Sequence, residues 1–212
     1  MNETTREFRD HIVIIGWDDV SRMATHRLRA SNRAVAIITE NESSLGDISE
    51  EIKKPEVQAI HRHLTTYRSF SAVQIEDSLR VFVNLPSDKE SLVAILNLKK
   101  AFDGLEFVVV LSNNELKRTF ESAGVSYVVS AASIASKLVT SFLYEPDVAT
   151  FEVDLLAGTN DDSGYDLQQY MITADCPYAE KEFGEVFWSL KSELNCIPLG
   201  VAKMTSDGNY EI

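Results

Sequence analysis

The sequence predicts an α/β protein built on a doubly wound parallel sheet. In the first 145 residues, short β-branched segments alternate with amphipathic stretches of helical period. The β-branched segments are rich in Val and Ile and show little polar alternation, which is typical of strands buried on both faces of a parallel sheet. Strands that alternate with helices require right-handed crossovers, and these place helices on both faces of the sheet. This is a Rossmann-like architecture.

The β-branched segments predict six strands, at His11–Gly16, Ala34–Thr39, Val57–His61, Leu79–Leu85, Phe107–Leu111 and Tyr127–Ser130. In such a sheet, ligands bind outside the carboxyl ends of the strands, where the strand order reverses. We call this edge the rim. The sequence predicts that it contains Gly16–Asp19, Thr39–Asn41, His61–Thr65, Leu85–Asp88 and Ser112–Asn114.

Two of the intervening helices have clear start signals. Asp18 or Asp19 can cap the first helix, for which we predict a core-facing stripe of Val20, Met23, Ala24 and Leu28, with Arg27 as its one imperfect member. Ser87 and Glu90 form a capping box. The helix that follows it is predicted to bury four apolar side chains, namely Leu92, Ile95, Leu96 and Phe102.

Composition divides the chain into four parts. Residues 1–10 read as a polar tail, 11–145 as the Rossmann-like lobe, 146–164 as a crossover helix and linker, and 165–212 as a small α+β lobe. In that small lobe we predict a strand at Gln168–Ala174, a helix at Glu180–Leu194, a strand at Ile197–Met204 and the start of another at Tyr210–Ile212. So small a lobe buries little apolar surface alone, so it must pack on the core or on a second copy.

The net charge of −13 excludes some partners. An acidic chain without a Lys/Arg cluster is repelled by nucleic-acid phosphates, so we expect no nucleic-acid partner. The surplus carboxylates serve solubility or attract cations. No apolar segment is long enough to span a bilayer, and the first residues lack a signal-peptide core, so we expect no membrane insertion. Cys176 and Cys196 are expected to be free thiols.

Gly16 follows the first strand at the place where a G-x-G-x-x-G dinucleotide loop would begin. Asp18 stands at the second glycine position and Ser21 at the third. The second glycine lets main chain approach a pyrophosphate, and a carboxylate there competes for the N–H groups of the helix N-terminus. The sequence therefore disfavours tight NAD binding through this loop.

Glu40 ends the second strand, where a carboxylate can bind ribose hydroxyls. It is equally explained as an exposed side chain that caps the next helix. A mononucleotide held through Glu40 remains open, and the predicted cofactor-binding set is Gly16, Trp17, Asp18, Asp19, Glu40 and Asp88.

Two further groups are candidate cation sites. His61 and His63 lie two apart on an extended segment, so they can bind a transition metal or respond to pH, and surface histidines explain them as well. Asp161, Asp162 and Asp166 offer oxygen ligands for Ca²⁺, or they belong to a solvated linker. No nucleophile elbow, P-loop or H-E-x-x-H motif is present, which favours a binding module over an enzyme.

Several segments resemble one family in order along the chain. His11–Val20 (H-I-V-I-I-G-W-D-D-V) is similar to the opening of RCK domains, the regulators of potassium conductance that are related to Trk-type transport subunits. Thr39–Glu42, Ile60–Thr65, Ala123–Ser130 (A-G-V-S-Y-V-V-S) and Cys196–Ala202 (C-I-P-L-G-V-A) resemble later motifs of the same family.

The resemblance implies a gating domain on the cytoplasmic side of a potassium-channel pore. RCK domains pair through the helices after strand six and assemble as an octameric ring, and binding of Ca²⁺, another cation or a nucleotide such as NAD, ADP or ATP acts on the pore. Ser133–Ala157 would be the dimer-forming helix pair, with Phe142, Leu143, Phe151, Leu155 and Leu156 at the interface or in the core.

Departures from the family pattern limit what carries over. The family's cation ligand after strand three falls on His63, and those after strand five fall on Val110 and Ser112, so that calcium site is not preserved. The small lobe usually continues further, which suggests a trimmed C-terminus. Three alternatives remain: an NAD-binding regulatory subunit of a Trk-type transporter, whose group keeps the three glycines, an NAD-dependent oxidoreductase, and a purely structural dimerisation module.

Overall fold

The computed structural model describes residues 9–52, 57–157, 169–204 and 210–211. Its core is one parallel sheet in the order β3-β2-β1-β4-β5-β6. The strands are β1 (Ile12–Ile15), β2 (Val35–Thr39), β3 (Val57–His61), β4 (Arg80–Val83), β5 (Phe107–Leu111) and β6 (Tyr127–Ser130). The predicted doubly wound, Rossmann-like sheet is confirmed, and the strand ends move by no more than two residues. The strand order reverses between β1 and β4, which lie side by side.

Six helices connect and extend the strands. They are α1 (Asp19–Ala30), α2 (Ser43–Glu51), α3 (Asp88–Ala101), α4 (Lys117–Ser122), α5 (Ala131–Tyr144) and α6 (Pro146–Ala157). Short 3-10 helices at Tyr67–Val73 and Ile75–Asp77 join β3 to β4, and another at Asn114–Leu116 precedes α4. Ser87 caps α3 by accepting a hydrogen bond from the main-chain N of Glu90 at 3.2 Å, in agreement with the predicted capping box.

Each face of the sheet buries its own apolar cluster because successive strand residues point to opposite sides. On the α2 face, Ile14 and Ile37 pack with Ile48. On the α3 face, Ile15 and Ile38 belong to a larger cluster that includes Ile95 and Leu98. The central strands therefore need apolar residues at every position, which explains their lack of polar alternation.

The predicted apolar stripe of α1 is confirmed at Leu28, which packs against the cluster on the α2 face, and is wrong at Val20 and Met23. Ser21 and Thr25 are the buried residues of this helix, whereas Val20 and Met23 are exposed. The Thr25 hydroxyl donates to the main-chain O of Ser21 at 2.8 Å, so its burial leaves no unsatisfied donor. Small side chains let the helix lie close to the sheet. In α3 the predicted burial is confirmed for Ile95 and Phe102 and is wrong for Leu96, which is exposed while Ser91 and Ala94 are buried.

Helices α5 and α6 form a tight pair separated by one residue. Glu145 ends α5, and Pro146 begins α6, where a missing N–H costs nothing. Ala149 on α6 is fully buried. The Arg27 guanidinium donates to the main-chain O of Leu156 at 2.9 Å, so the arginine that interrupts the predicted stripe ties α1 to the last turn of α6.

The chain divides into two compact units, 1–166 and 167–212. The described part of the second unit contains α7 (Phe183–Leu194) and a two-stranded antiparallel pair, β7 (Lys203–Met204) and β8 (Tyr210–Glu211). The predicted strand at Gln168–Ala174 is wrong for its described residues, and the one at Ile197–Met204 shrinks to its last two residues. Apolar residues alone do not form a strand where no neighbouring strand pairs with them.

Within the described ranges, no helix combines the length and the apolar character needed to cross a membrane.

His11 precedes β1 and is fully buried. Its imidazole Nε2 lies 2.9 Å from the main-chain O of Val73, and the main-chain N of Leu79 donates to the O of His11 at 2.8 Å. Burial lowers the pKa of His11 because desolvation disfavours the charged ring. The bond to Val73 and the carboxylates of Asp77 and Asp10 act in the opposite direction on that pKa and are outweighed.

This burial predicts loss of stability in acid. Because the pKa of His11 is lower in the folded state than in the unfolded one, the unfolded chain binds more protons below pH ~6.5. We expect the free energy of unfolding to fall as pH is lowered from 7.5 through 6.5, and His11→Gln to reduce that dependence. Urea unfolding at several pH values measures it, with the exposed His63→Gln as the control. An unchanged pH dependence in His11→Gln would contradict this assignment.

Candidate functional site at the sheet rim

Gly16 makes the turn from β1 into α1 at the point where the strand order reverses. Its φ of +100° is a conformation that side-chain-bearing residues rarely adopt. A Cβ on this residue would overlap the main-chain O of Asn84, which follows β4. The main-chain N of Gly16 donates to the O of Ile38 at 2.9 Å. Gly16 is therefore required by the close approach of the β4 end.

Asp18 closes the loop after Gly16. It is the N-cap of α1, and its Oδ1 accepts from the main-chain N of Ser21 at 2.8 Å. The same oxygen accepts from the Asn84 side-chain amide at 2.5 Å, and that amide also donates to Ser21 Oγ at 2.9 Å. One carboxylate thus joins the start of α1 to the end of β4.

This network uses a main-chain N–H group that a phosphate bound at the start of α1 would also need. A helix N-terminus attracts anions through its free N–H groups and its dipole, and here a side-chain carboxylate takes one of those groups.

Of the two capping residues that the sequence allowed, Asp18 is the one used. Asp19 is exposed and forms an ion pair with Arg22 at 2.9 Å. Trp17 is half-buried against the cluster beneath α2.

Glu40 and the two histidines meet at the ends of β2 and β3. Glu40 Oε1 accepts from the main-chain N of Leu64 at 2.7 Å and lies 3.9 Å from His63 Nδ1. His61 Nε2 is 3.0 Å from the main-chain O of Glu40, so this nitrogen carries the proton. In the described part of the chain, Glu40 Oε2 has no hydrogen-bond partner. The second carboxylate oxygen is thus able to accept from a ligand hydroxyl.

The histidine rings stack edge to face, with centroids 5.5 Å apart. No group of three His, Cys, Asp or Glu side chains in the described ranges is arranged to hold a metal ion. The metal role of His61 and His63 stays a prediction that this arrangement does not strengthen. Asp161, Asp162 and Asp166 lie outside the described residues.

Asp88 uses both carboxylate oxygens within the protein. Oδ1 accepts from the main-chain N of Ser112 at 3.0 Å, and Oδ2 accepts from that of Asn113 at 2.8 Å. The side chain therefore fixes the loop after β5 to the start of α3. Asp88 would therefore contribute to a binding site at the rim by holding this loop in position.

Asn84 is the rim residue that the sequence analysis missed. The predicted fourth strand ran through it to Leu85, whereas β4 ends at Val83. The signal available in the sequence was that Asn84 is polar and directly follows the last apolar residue of the strand. Its importance depends on β4 lying beside β1, which no local pattern reveals.

The sheet and the reversal between β1 and β4 together define a Rossmann-like domain. Residues 12–131 match the TrkA-N domain family. The chain belongs to this family, and the resemblance to RCK and TrkA-N domains is thereby confirmed.

Individual proteins similar to this chain agree with that assignment. A calcium-gated potassium channel of Thermoplasma volcanium, TvoK, is 23% identical over 167 residues, which are 74% of this chain and 46% of the channel. The chain thus spans less than half the length of this relative. The TrkA-N domain of the inner membrane protein ybaL from Escherichia coli has a TM-score of 0.58 at 13% identity, covering 65% of this chain and 99% of that one.

A third similar protein, GsuK, has been solved with two nucleotides. The ADP-bound structure has a TM-score of 0.52 at 18% identity over 58% of this chain and 32% of that one. The NAD-bound channel has a TM-score of 0.51 at 18% identity over 61% and 22%. At these identities the likeness establishes the fold. The chain is accordingly a TrkA-N domain that is similar in sequence to a potassium channel and in fold to GsuK.

The Gly16 geometry predicts a large difference between two glycine substitutions. Gly16→Ala should destabilise the fold by about 3 kcal/mol or more, because both the backbone conformation and the contact with Asn84 forbid a side chain. Gly46→Ala is the matched control, since a Cβ there meets no atom within 4 Å and the residue lies inside α2. We expect that control to gain up to about 1 kcal/mol. Urea unfolding compares them, and equal stabilities would refute the close approach.

Proposed function

We propose that this chain is a ligand-sensing regulatory domain of a potassium channel, located on the cytoplasmic side of the pore and acting as a dimer within a larger ring. The observation that carries the proposal is the α5–α6 pair. Both helices of this chain carry large apolar side chains, and these side chains are exposed when the chain is taken alone. A second copy that covers them would couple the rim to a neighbouring domain.

The exposed surface of the pair is extensive. Leu143 is 83% exposed and Leu156 is 63% exposed, while Phe142 and Phe151 are each 45% exposed. No residue of α5 is buried in the described structure, so core packing does not explain its apolar side chains. Several large exposed apolar side chains on one helix pair are typical of a protein–protein contact. The helix pair is therefore the surface that we assign to dimerisation.

We assign the effector site to the rim, with an adenine nucleotide as its first candidate. Glu40 Oε2 is available to accept a ribose hydroxyl, whereas the Asp18 carboxylate opposes a diphosphate at the start of α1. A nucleotide would thus be held mainly by its nucleoside part. A divalent cation is the second candidate effector, and it would need ligands besides His61 and His63.

Two other functions are weighed against this proposal. An NAD-binding subunit of a Trk-type transporter, or an NAD-dependent oxidoreductase, needs main chain to contact the cofactor's diphosphate. Asp18 stands at that contact and is held there by Ser21 and Asn84. The enzyme alternative also needs a catalytic side chain facing the nicotinamide. These requirements favour a sensor over a redox enzyme.

The proposal predicts that Asp18 sets the affinity for dinucleotides. We expect Asp18→Gly to bind NAD roughly tenfold more tightly than the parent chain, equivalent to ~1.4 kcal/mol, because the competing carboxylate leaves the helix N-terminus. Calorimetry measures this affinity. Asp19→Gly is the matched control, since it removes the same charge one residue further on and should change affinity less than twofold. Glycine also serves as an N-cap at little cost in stability.

The alternatives make different predictions for the same titrations. Tight NAD binding by the parent chain that Asp18→Gly does not improve would favour the transporter-subunit or enzyme reading, and turnover of NAD would establish the enzyme. ADP binding that weakens about tenfold in Glu40→Gln would support the nucleoside-based site, because a charge-assisted hydrogen bond is worth ~1.5 kcal/mol or more.

The dimer assignment predicts a position-dependent effect of charge. Leu143→Asp should raise the dimer dissociation constant at least tenfold, since it places a carboxylate in an apolar interface. Leu96→Asp on α3 is the control, because Leu96 is also about half exposed but lies outside α5 and α6. Sedimentation equilibrium measures both. A monomeric parent chain at high concentration, or equal effects of the two substitutions, would contradict the assignment.

A further inference from the structure

A groove that meets the rim only at Thr65 lies between the 3-10 helix Tyr67–Val73 and the C-terminal half of α3. It has a volume of about 490 Å³, within the range of small-molecule sites. The side chains that matter for its chemistry are Thr65, Tyr67, Arg68, Ser69, Asn97 and Lys100. The rim residues Gly16–Asp19, Glu40 and Asp88 do not line it. A ligand bound here would thus not need the predicted cofactor-binding residues.

The groove is basic, although the chain as a whole is acidic. The chain has 33 acidic against 20 basic residues, yet the described lining contains two cations and no carboxylate. Arg68 comes from the 3-10 helix and Lys100 from α3. Within the described ranges neither side chain forms an ion pair. Two cations that approach one groove without a counter-charge repel each other, and a bound anion would relieve that repulsion.

Neutral donors accompany the two cations. Tyr67 Oη accepts from the Asn97 side-chain amide at 3.3 Å, so its own proton is free to be donated. The tyrosine ring is positioned by an edge-to-face contact with the fully buried Phe70, with centroids 5.8 Å apart. Ser69 Oγ donates to the main-chain O of Thr66 at 2.7 Å and so stabilises the loop rather than the ligand.

We propose that this groove binds a small phosphorylated molecule. An Arg fork, a Lys ammonium and a phenol O–H are the donors that phosphate oxygens accept from most readily. The volume suits a small molecule. A long polyanion such as RNA is opposed by the net charge of −13. Because Arg68 and Lys100 are exposed, binding weakens as salt concentration rises.

The test is a calorimetric titration of the full chain with inorganic pyrophosphate at low and moderate salt. Arg68→Gln and Lys100→Gln should each weaken binding roughly tenfold, as expected for loss of one charged contact worth ~1.4 kcal/mol. Lys89→Gln is the matched control, because it removes a cation from the first turn of the same helix, outside the groove. This control should stay within twofold of the parent chain.

The outcomes separate this groove from the rim. Pyrophosphate binding that persists in Asp18→Gly and Glu40→Gln supports the groove, even if ADP fails to bind at the rim. The proposal is overturned if the parent chain shows no saturable binding, if Lys89→Gln weakens binding as much as the groove variants, or if only the rim variants change it.

Discussion

The arrangement of the rim depends on the hydrogen bonds of the Asp18 carboxylate. Its Oδ1 accepts hydrogen bonds from the main-chain N of Ser21 and from the side-chain amide of Asn84. It thereby joins α1 to the end of β4 at the reversal of strand order. In a dinucleotide-binding loop, a cofactor phosphate makes the equivalent link. Here the protein supplies that negative charge itself, so the link exists without a ligand.

The loop retains the part of the dinucleotide motif that the chain needs for its own folding. Gly16 stays because its positive φ and its contact with Asn84 exclude a side chain. The later two glycines serve the cofactor or a closer helix approach, and Asp18 and Ser21 replace them. Ser21 is still small enough to be fully buried. The loop therefore keeps the glycine that the fold requires and replaces those that a dinucleotide motif contains.

The sequence was sufficient to predict the sheet because burial on both faces leaves a compositional signal in each strand. It was insufficient for the helix faces. Ser21, Thr25 and Ser91 are buried because close helix–sheet packing selects small side chains, and their polar character conceals this in the sequence.

The candidate site was predictable only in part, for a similar reason. Gly16, Asp18 and Glu40 follow predicted strands and were found, whereas Asn84 acquires its partners through the adjacency of β4 and β1. Of the predicted strands of the small unit, the described structure forms only the residues that pair with each other, Lys203–Met204 and Tyr210–Glu211, because strand formation depends on a pairing partner. Contacts between distant segments are the information that local pattern lacks.

The bond from Arg27 to the carbonyl of Leu156 connects α1 to a helix outside the rim. One end of this helix begins at the Asp18 cap, and its last turns hold the final turn of α6. A rigid helix of 12 residues spans about 18 Å, so a shift of its N-terminus would be transmitted along that length as a lever. Occupancy at one edge of the sheet would in this way alter the position of a helix far from the ligand.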